Sequence, residues 1–313
     1  VLDKNEGISE NTNRAMEMST GDYIALLDHD DILHPSALFD VMQEINYHQG
    51  EFIYTDELSF DGTPRRVQNI HFKPDFSPES FRSNNYICHF SVFSRQLLDK
   101  TGGFRKEFDG SQDYDMLLRL TDEADNICHV PKVRYYWRVH PGSVASSAAA
   151  KPYTIDAGKR ALEEHLTRRN LKGNVEAAGE YGPFYRVHYQ VPEQTKVLLM
   201  AETEQVARWL RKDTGALPYD MTICPVILPR FEVDEHPFDV IVLVREGYRP
   251  EKGQGEWLQE LLSSLVPKEN MVAAPVVYDR HHKVFHAGYG YCAERPEQIF
   301  RLYHGVPAGD PSY

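Results

Sequence analysis

The stretch Gly21 to Pro35, GDYIALLDHDDILHP, constrains this chain more than any other. Tyr23 to Leu27 is an apolar run with no polar break, and three carboxylates, Asp28, Asp30 and Asp31, follow directly with His29 between them. A short apolar run that stops at a polar cluster predicts a buried strand. Proline suits the first turn of a helix, where the amide hydrogen it lacks would have no partner, so a helix is expected from Pro35 or Ser36. Open α/β sheets gather ligands at the carboxyl ends of their strands. Carboxylate oxygens clustered there suit Mg2+ or Mn2+, hard cations that favour carboxylate and water. The same residues would also make a solvated acidic turn that caps the next helix, and spacing alone leaves both readings open.

The flanking pattern is that of alternating helices and strands. Asn5 to Ser19 predicts a helix with Ser9 as N-cap, and Pro35 to His48 a second one with Leu38, Val41, Met42 and Ile45 on its apolar face. Phe52 to Tyr54 predicts a short strand ending at the acidic pair Asp56-Glu57, with a hairpin turn at Asp61-Gly62. FKPDFSP, with two prolines, is expected to be irregular. Ile87 to Phe93 predicts a strand, and Gln96 to Thr101 a short helix closed by Gly102-Gly103. Gly110-Ser111-Gln112-Asp113-Tyr114-Asp115 then opens a helix: Ser111 as N-cap would put Asp113 in the first turn, where the helix dipole favours an anion. That segment also reads as nothing more than a well-capped helix. An aromatic strand, Tyr135-Tyr136-Trp137, runs into Arg138, His140 and Ser143, and an arginine beside a Gly-Ser turn suits a phosphate.

Thr154 to Arg169 predicts a helix and Tyr185 to Tyr189 a strand, with a boundary at Pro192-Glu193. The α/β alternation then restarts: strands over Lys196–Met200, Met221–Leu228, Phe238–Val244 and Val272–Tyr278, helices over Glu204–Lys212 and Trp257–Leu265. A chain of 313 residues accommodates about two such units. The net charge of -13 argues against a nucleic-acid backbone as partner, so an anionic ligand would need a metal or a local basic pocket. The four cysteines form no CxxC pair, which suits a reducing compartment. No apolar run reaches the length of a membrane span.

Three constellations in this order resemble glycosyltransferase family 2, inverting enzymes with a GT-A fold. NEGISENTNRAMEMSTGDYIALLDHDD resembles the stretch leading into the family's Asp-x-Asp motif. GSQDYDMLLRL resembles the segment carrying the catalytic carboxylate, and YYWRVHPGSVA the Tyr-x-Trp-Arg-x-His-x-Gly-Ser motif. YTDE, FKPDFSP and NYICH resemble bacterial enzymes of O-antigen, rhamnan and related surface-polysaccharide synthesis. The resemblance implies an α/β fold, a Rossmann-like mixed sheet flanked by helices over residues 1–190, followed by a second, smaller GT-A-like unit over residues 191–313. It also implies that the family's first nucleotide-binding strands are missing before Val1.

The resemblance implies a metal-dependent transfer from a nucleoside diphosphate sugar, UDP- or dTDP-linked, to a saccharide or lipid-linked acceptor. Asp30 and His140 would hold Mn2+ or Mg2+. Asp28 would contact the ribose or support the metal, Arg138 and Ser143 the diphosphate, and Gly7 and Asn13 would lie near the nucleotide. Asp113 would be the general base, in a Gln112-Asp113 pair where the family carries Glu-Asp. Asp56, Glu57, Lys73, Asn85 and Tyr86 are expected to line the sugar or acceptor pocket. The protein would be cytoplasmic, or peripheral at the inner membrane face. In the second unit, Arg245-Glu246-Gly247 stands where the motif's aspartates would fall, so that unit is expected not to bind a metal donor complex. His281, His282 and His286 are read as structural or solvated. The alternatives are a metal-dependent nucleotide-sugar hydrolase using Asp28, Asp30, Asp56 and His140, or a non-catalytic scaffold fragment.

Overall fold

A computed structural model describes residues 4–139, 152–178, 184–225, 238–247, 253–266, 273, 277–278, 281, 283–286, 289–292 and 295–301. The chain divides into two compact units, residues 1–187 and 188–313.

In chain order the first unit comprises α1 (Ile8–Met18), β1 (Tyr23–Ala25), β2 (Ile32–Leu33), α2 (Ala37–His48), β3 (Phe52–Phe60), β4 (Val67–His71), α3 (Pro78–Ser83), β5 (Ser91–Ser94) and α4 (Arg95–Thr101). α5 (Gln112–Glu123), β6 (Ile127–Arg138), α6 (Pro152–Arg168), β7 (Gly173–Ala178) and β8 (Phe184–Tyr189) complete it. Its six-stranded sheet runs β1-β5-β3-β6-β2, with β4 also on β3. β3 and β6 are parallel; β1–β5, β3–β5, β3–β4 and β2–β6 are antiparallel. This is the α/β architecture with a mixed sheet and flanking helices that the sequence predicts.

β3 organises the sheet. Phe52, Ile53 and Tyr54 pair with β5, Glu57 to Phe60 pair with β4, and β6 runs beside both halves. The expected strand end at Asp56-Glu57 is therefore wrong: both carboxylates lie inside a nine-residue strand and are buried. A charged pair in a strand reads as its terminus, but here partners on neighbouring elements offset the desolvation of both groups. The turn at Asp61-Gly62 joins β3 to β4 as expected, with Asp61 N bonded to Arg66 O at 3.1 Å.

Three local expectations fail. Ser9 lies inside α1; the N-cap is Gly7, at φ 101°, a conformation that a side chain would strain. In α2 it is Ala37 and Val41 that are buried, whereas Leu38 and Met42 are 61% and 47% exposed. β1 is only three residues long, and Leu27 beyond it is exposed. Ala37 and Val41 pack on one core face with Ile53, Phe90, Val92, Val130 and Tyr135. On α6, Gly158 gives Tyr185 of β8 room: a Cβ there would stand 2.0 Å from the Tyr185 hydroxyl.

In the second unit β9 (Lys196–Ala201) is flanked by β10 (Asp220–Cys224) and β11 (Val240–Val244), both parallel to it. α7 (Glu204–Thr214) and α8 (Glu256–Ser263) pack Val206, Ala207, Leu210, Leu258 and Leu262 onto Val197, Leu199 and Val242. The remaining strands are β12 (Val277–Tyr278), β13 (Val284–His286), β14 (Tyr289–Cys292) and β15 (Arg295–Arg301), two antiparallel pairs. Among the described residues, no helix is long and apolar enough to cross a membrane.

Candidate active site

The acidic turn between β1 and β2 is fastened to β6 by its third carboxylate. Asp31 accepts from the Tyr135 hydroxyl at 2.5 Å and from the Arg138 amide at 2.7 Å, and burial raises its pKa despite both bonds. The Tyr135 hydroxyl also accepts from the Asp28 amide at 3.3 Å. Arg138 donates Nε to Asp30 O at 2.7 Å and Nη1 to Gly62 O at 2.8 Å, and lies over the Phe60 ring. Arg138, expected on the diphosphate, thus supports the backbone of the acidic turn. With Asp31 committed to β6, the side chains of Asp28 and Asp30 remain 66% and 33% exposed. Their hard oxygen donors, two residues apart, fit Mg2+ or Mn2+. Among the described residues no group of three His, Cys, Asp or Glu side chains is set to hold a metal. His140 and Ser143 lie outside the described residues.

Asp113 occupies the first turn of α5 as expected, although Ser111 sends its hydroxyl to Thr154 O at 2.8 Å and makes no side-chain cap. Asn85 Nδ2 donates to Asp113 Oδ2 at 3.1 Å, and the Cys88 thiol donates to the same oxygen at 3.3 Å. Asn85 Oδ1 accepts from the Cys88 amide at 3.3 Å, so one asparagine fixes both the thiol's backbone and the carboxylate. Asp115 faces another way: fully buried, it binds Arg119 Nη2 at 2.9 Å and Arg105 Nε at 3.0 Å.

His89 connects the two carboxylate sites. Its Nε2 lies 3.9 Å from Asp28 Oδ2 and 3.5 Å from Cys88 Sγ, and its Nδ1 lies 3.3 Å from Glu57 Oε2. The ring stacks on Tyr135 with centroids 4.9 Å apart. Burial works against its charge, yet Cys88 and Glu57 beside it raise its pKa well above the ordinary histidine value. Burial pushes the Cys88 thiol up to about 11. Sequence reading did not single out Cys88 and His89; the signal was a titratable pair, in NYICH, just ahead of a buried strand.

Several residues expected to line the sugar or acceptor pocket bond one another and the backbone. The Lys73 ammonium is wholly buried, donates to Ile87 O at 2.6 Å and Glu57 Oε2 at 3.3 Å, and also bonds His89 O. Glu57 additionally faces His71 Nδ1 at 3.3 Å; burial opposes its charge, but the two histidines and Lys73 hold its carboxyl well below the usual range. Asp56 Oδ1 accepts from the Lys73 amide at 2.9 Å and lies 2.9 Å from His129 Nε2. The Tyr86 hydroxyl accepts from the Ser77 amide at 3.0 Å. Asn13 exchanges two 2.8 Å bonds with the backbone of Phe104, tying α1 to the loop after α4. Gly7 starts α1 with Asp109 nearby, and Asp109 bonds the Ser9 hydroxyl.

In the second unit, the residues following β9 and β11 hold one another. Glu202 accepts from the Glu246 amide at 2.8 Å and from Arg245 Nη2 at 3.1 Å, and its own amide bonds Val244 O at 3.0 Å. His281 is exposed, while His282 and the side chain of His286 lie outside what the structure describes.

The chain is similar to the O-antigen biosynthesis protein RfbC of Myxococcus xanthus, 33% identical over 71% of this chain and 17% of the relative. It is similar to the chondroitin synthase of Escherichia coli, 30% identical over 55% of this chain and 25% of that one. The chain thus spans a quarter or less of the length of these curated relatives. The structure of S. aureus TarS in complex with UDP-GlcNAc aligns over 51% of this chain and 47% of its own, at 19% identity and a TM-score of 0.42. The glycosyl transferase family 2 profile matches residues 1–102, which contain the acidic turn, Asn85 and the Cys88-His89 pair. Residues 1–102 of this chain thus carry a glycosyl transferase family 2 match.

Proposed function

We propose that this chain forms part of a metal-dependent, inverting GT-A glycosyltransferase that moves a sugar from a nucleoside diphosphate to a saccharide or lipid-linked acceptor in surface-polysaccharide synthesis. One observation carries the reading: Asp28 on the acidic turn and Asp113 on α5 both lie within reach of the Cys88-His89 dipeptide, so two separate carboxylate motifs converge. The names of the O-antigen and chondroitin synthase relatives support a polysaccharide product.

Asp113 removes the proton from the acceptor hydroxyl oxygen as that oxygen attacks the anomeric carbon. Its second oxygen, Oδ2, is held by Asn85 and Cys88, which leaves Oδ1 to face the acceptor. Asp28 and Asp30 would hold the divalent ion together with substrate phosphate and water, the usual environment of Mg2+. The ion would supply Lewis-acid neutralisation of the departing diphosphate. Arg138 keeps the Asp30 backbone in place; by the family resemblance alone, His140 would be a further metal ligand and Ser143 a diphosphate contact. The second unit, residues 191–313 in this reading, is a degenerate GT-A-like domain without a donor site.

The test is calorimetric titration of the chain with UDP and with dTDP, each with and without Mn2+. Metal-dependent binding that Asp30→Ala abolishes supports the reading. Binding of equal strength without metal, or in Asp30→Ala, refutes the metal site. A nucleotide sugar cleaved at the same rate with and without saccharide acceptors would favour the hydrolase instead.

A further inference from the structure

The base proposed above has one oxygen fixed by two donors of different kinds. Asn85 is an ordinary amide donor, but the thiol of Cys88 is a weak one. A weak donor aims a carboxylate only if its own orientation is fixed. Here it is, in two ways. The Cys88 backbone is bonded at both ends, its amide to Asn85 Oδ1 at 3.3 Å and its carbonyl to the Ser91 hydroxyl at 3.0 Å. His89 Nε2 also stands 3.5 Å from Sγ.

His89 is itself immobilised. Its Nδ1 faces Glu57, and its ring lies on Tyr135 and against Trp137, with centroids 4.9 Å and 5.7 Å away. Glu57 in turn is locked by Lys73 and His71. Nδ1 thus faces the Glu57 carboxylate and Nε2 faces the sulfur, while the thiol reaches the Asp113 oxygen 3.3 Å away. The sequence of contacts Glu57, His89, Cys88, Asp113 thus runs from the buried centre of β3 to the first turn of α5.

We infer that Cys88 and His89 are a positioning pair for Asp113: the histidine orients the thiol, and the thiol fixes Oδ2 so that Oδ1 faces the acceptor hydroxyl. Neither residue touches the reacting atoms in this arrangement. The inference rests on Asp113 being the base.

Two measurements on the full chain test it. The first needs no substrate. The S–H stretch of Cys88 is isolated as the infrared difference between wild type and Cys88→Ala, and the same difference is taken in an Asp113→Ala background. The band should lie low in frequency in the wild type and move up once Asp113 is gone; a band that does not move overturns the inference. The second is steady-state release of nucleoside diphosphate from UDP- and dTDP-sugars. Cys88→Ala should lower kcat about ten- to hundredfold, the worth of one hydrogen bond to a charged group, with donor KM little changed. Cys88→Ser, which keeps a donor, should recover most of that loss, whereas a merely space-filling cysteine would be served as well by alanine. Wild-type kcat in Cys88→Ala, with Asp113→Asn inactive, overturns this inference and leaves the base assignment standing. Full activity in Asp113→Asn overturns the base assignment itself, and the infrared band still reports the thiol contact.

Discussion

Asp113 and Asp115 are two residues apart on α5, which turns their side chains about 200° away from each other, and the same substitution should have opposite consequences at the two positions. Asp115 has no exposed side-chain surface and sits between Arg105 and Arg119, whose side chains are 29% and 9% exposed. Asparagine is nearly isosteric but carries no charge, and its amide end would present hydrogens to a guanidinium. Arg105 would keep Glu164 and Arg119 three backbone carbonyls, but the buried charge between the two guanidinium groups would be gone. Removing one partner of a buried ionic cluster costs about 3–5 kcal/mol. For a unit of 187 residues, each kcal/mol lowers Tm by about 2–4 °C, so Asp115→Asn should unfold about 6–20 °C early. Asp113→Asn loses only a half-buried carboxylate whose partners, Asn85 and Cys88, are uncharged. It should keep Tm within about 2 °C, the usual range for a substitution that breaks no buried ionic network, while abolishing sugar transfer and sparing nucleotide binding. Thermal unfolding followed by circular dichroism, beside calorimetric nucleotide binding, decides. A wild-type Tm for Asp115→Asn would refute the burial argument. Transfer retained in Asp113→Asn would refute the base.

Three further outcomes follow from the same geometry. Tyr135→Phe leaves the Asp31 carboxylate with only the Arg138 amide and should cost about 1–3 kcal/mol in urea unfolding, along with weaker metal-dependent nucleotide binding as the acidic turn loosens. Asp40 is buried, which opposes its charge, but Lys132 at 2.8 Å and Arg134 at 2.5 Å lower its pKa overall. A lowered carboxyl contributes stability that is present above its unfolded pKa of about 4 and is lost as pH falls through the folded value. Asp40→Asn should therefore lower Tm at pH 7 and make Tm less dependent on pH below 4, which a series of melts from pH 7 to pH 2 would check. Lys73→Met leaves the Ile87 and His89 carbonyls without this donor and Glu57 with its two histidines alone, and should cost about 3 kcal/mol or more; an unchanged urea midpoint would count against that accounting.

How much was legible in the sequence depended on the range of the forces involved. The helices over Pro152–Arg168 and Gln112–Glu123 and the strand pair around Asp61-Gly62 are set by local periodicity and turn chemistry, and they appear where expected. Asp113 at the start of α5 was legible for the same reason. What failed was tertiary. Nothing near Asp56 and Glu57 in the sequence shows that Lys73, His89 and His129 will stand around them, so the pair read as a strand end rather than a strand centre. Leu38 and Met42 follow a helical period, yet the sheet meets α2 on the side of Ala37 and Val41. The three aspartates of the turn looked alike in sequence; Tyr135, more than a hundred residues on, singles out Asp31 as the anchor.

The contacts of Glu202 bear on what the second unit can accept. In an open parallel sheet, the strand ends near a crossover helix are where an incoming anion meets backbone amides. Here the chain supplies that anion itself, and Glu202 already holds the Glu246 amide and Arg245 at the ends of β9 and β11. A tethered group acts at an effective concentration on the order of millimolar or above. A soluble phosphate ester reaching these strand ends meets a Glu202 carboxylate already bonded to the Glu246 amide and Arg245.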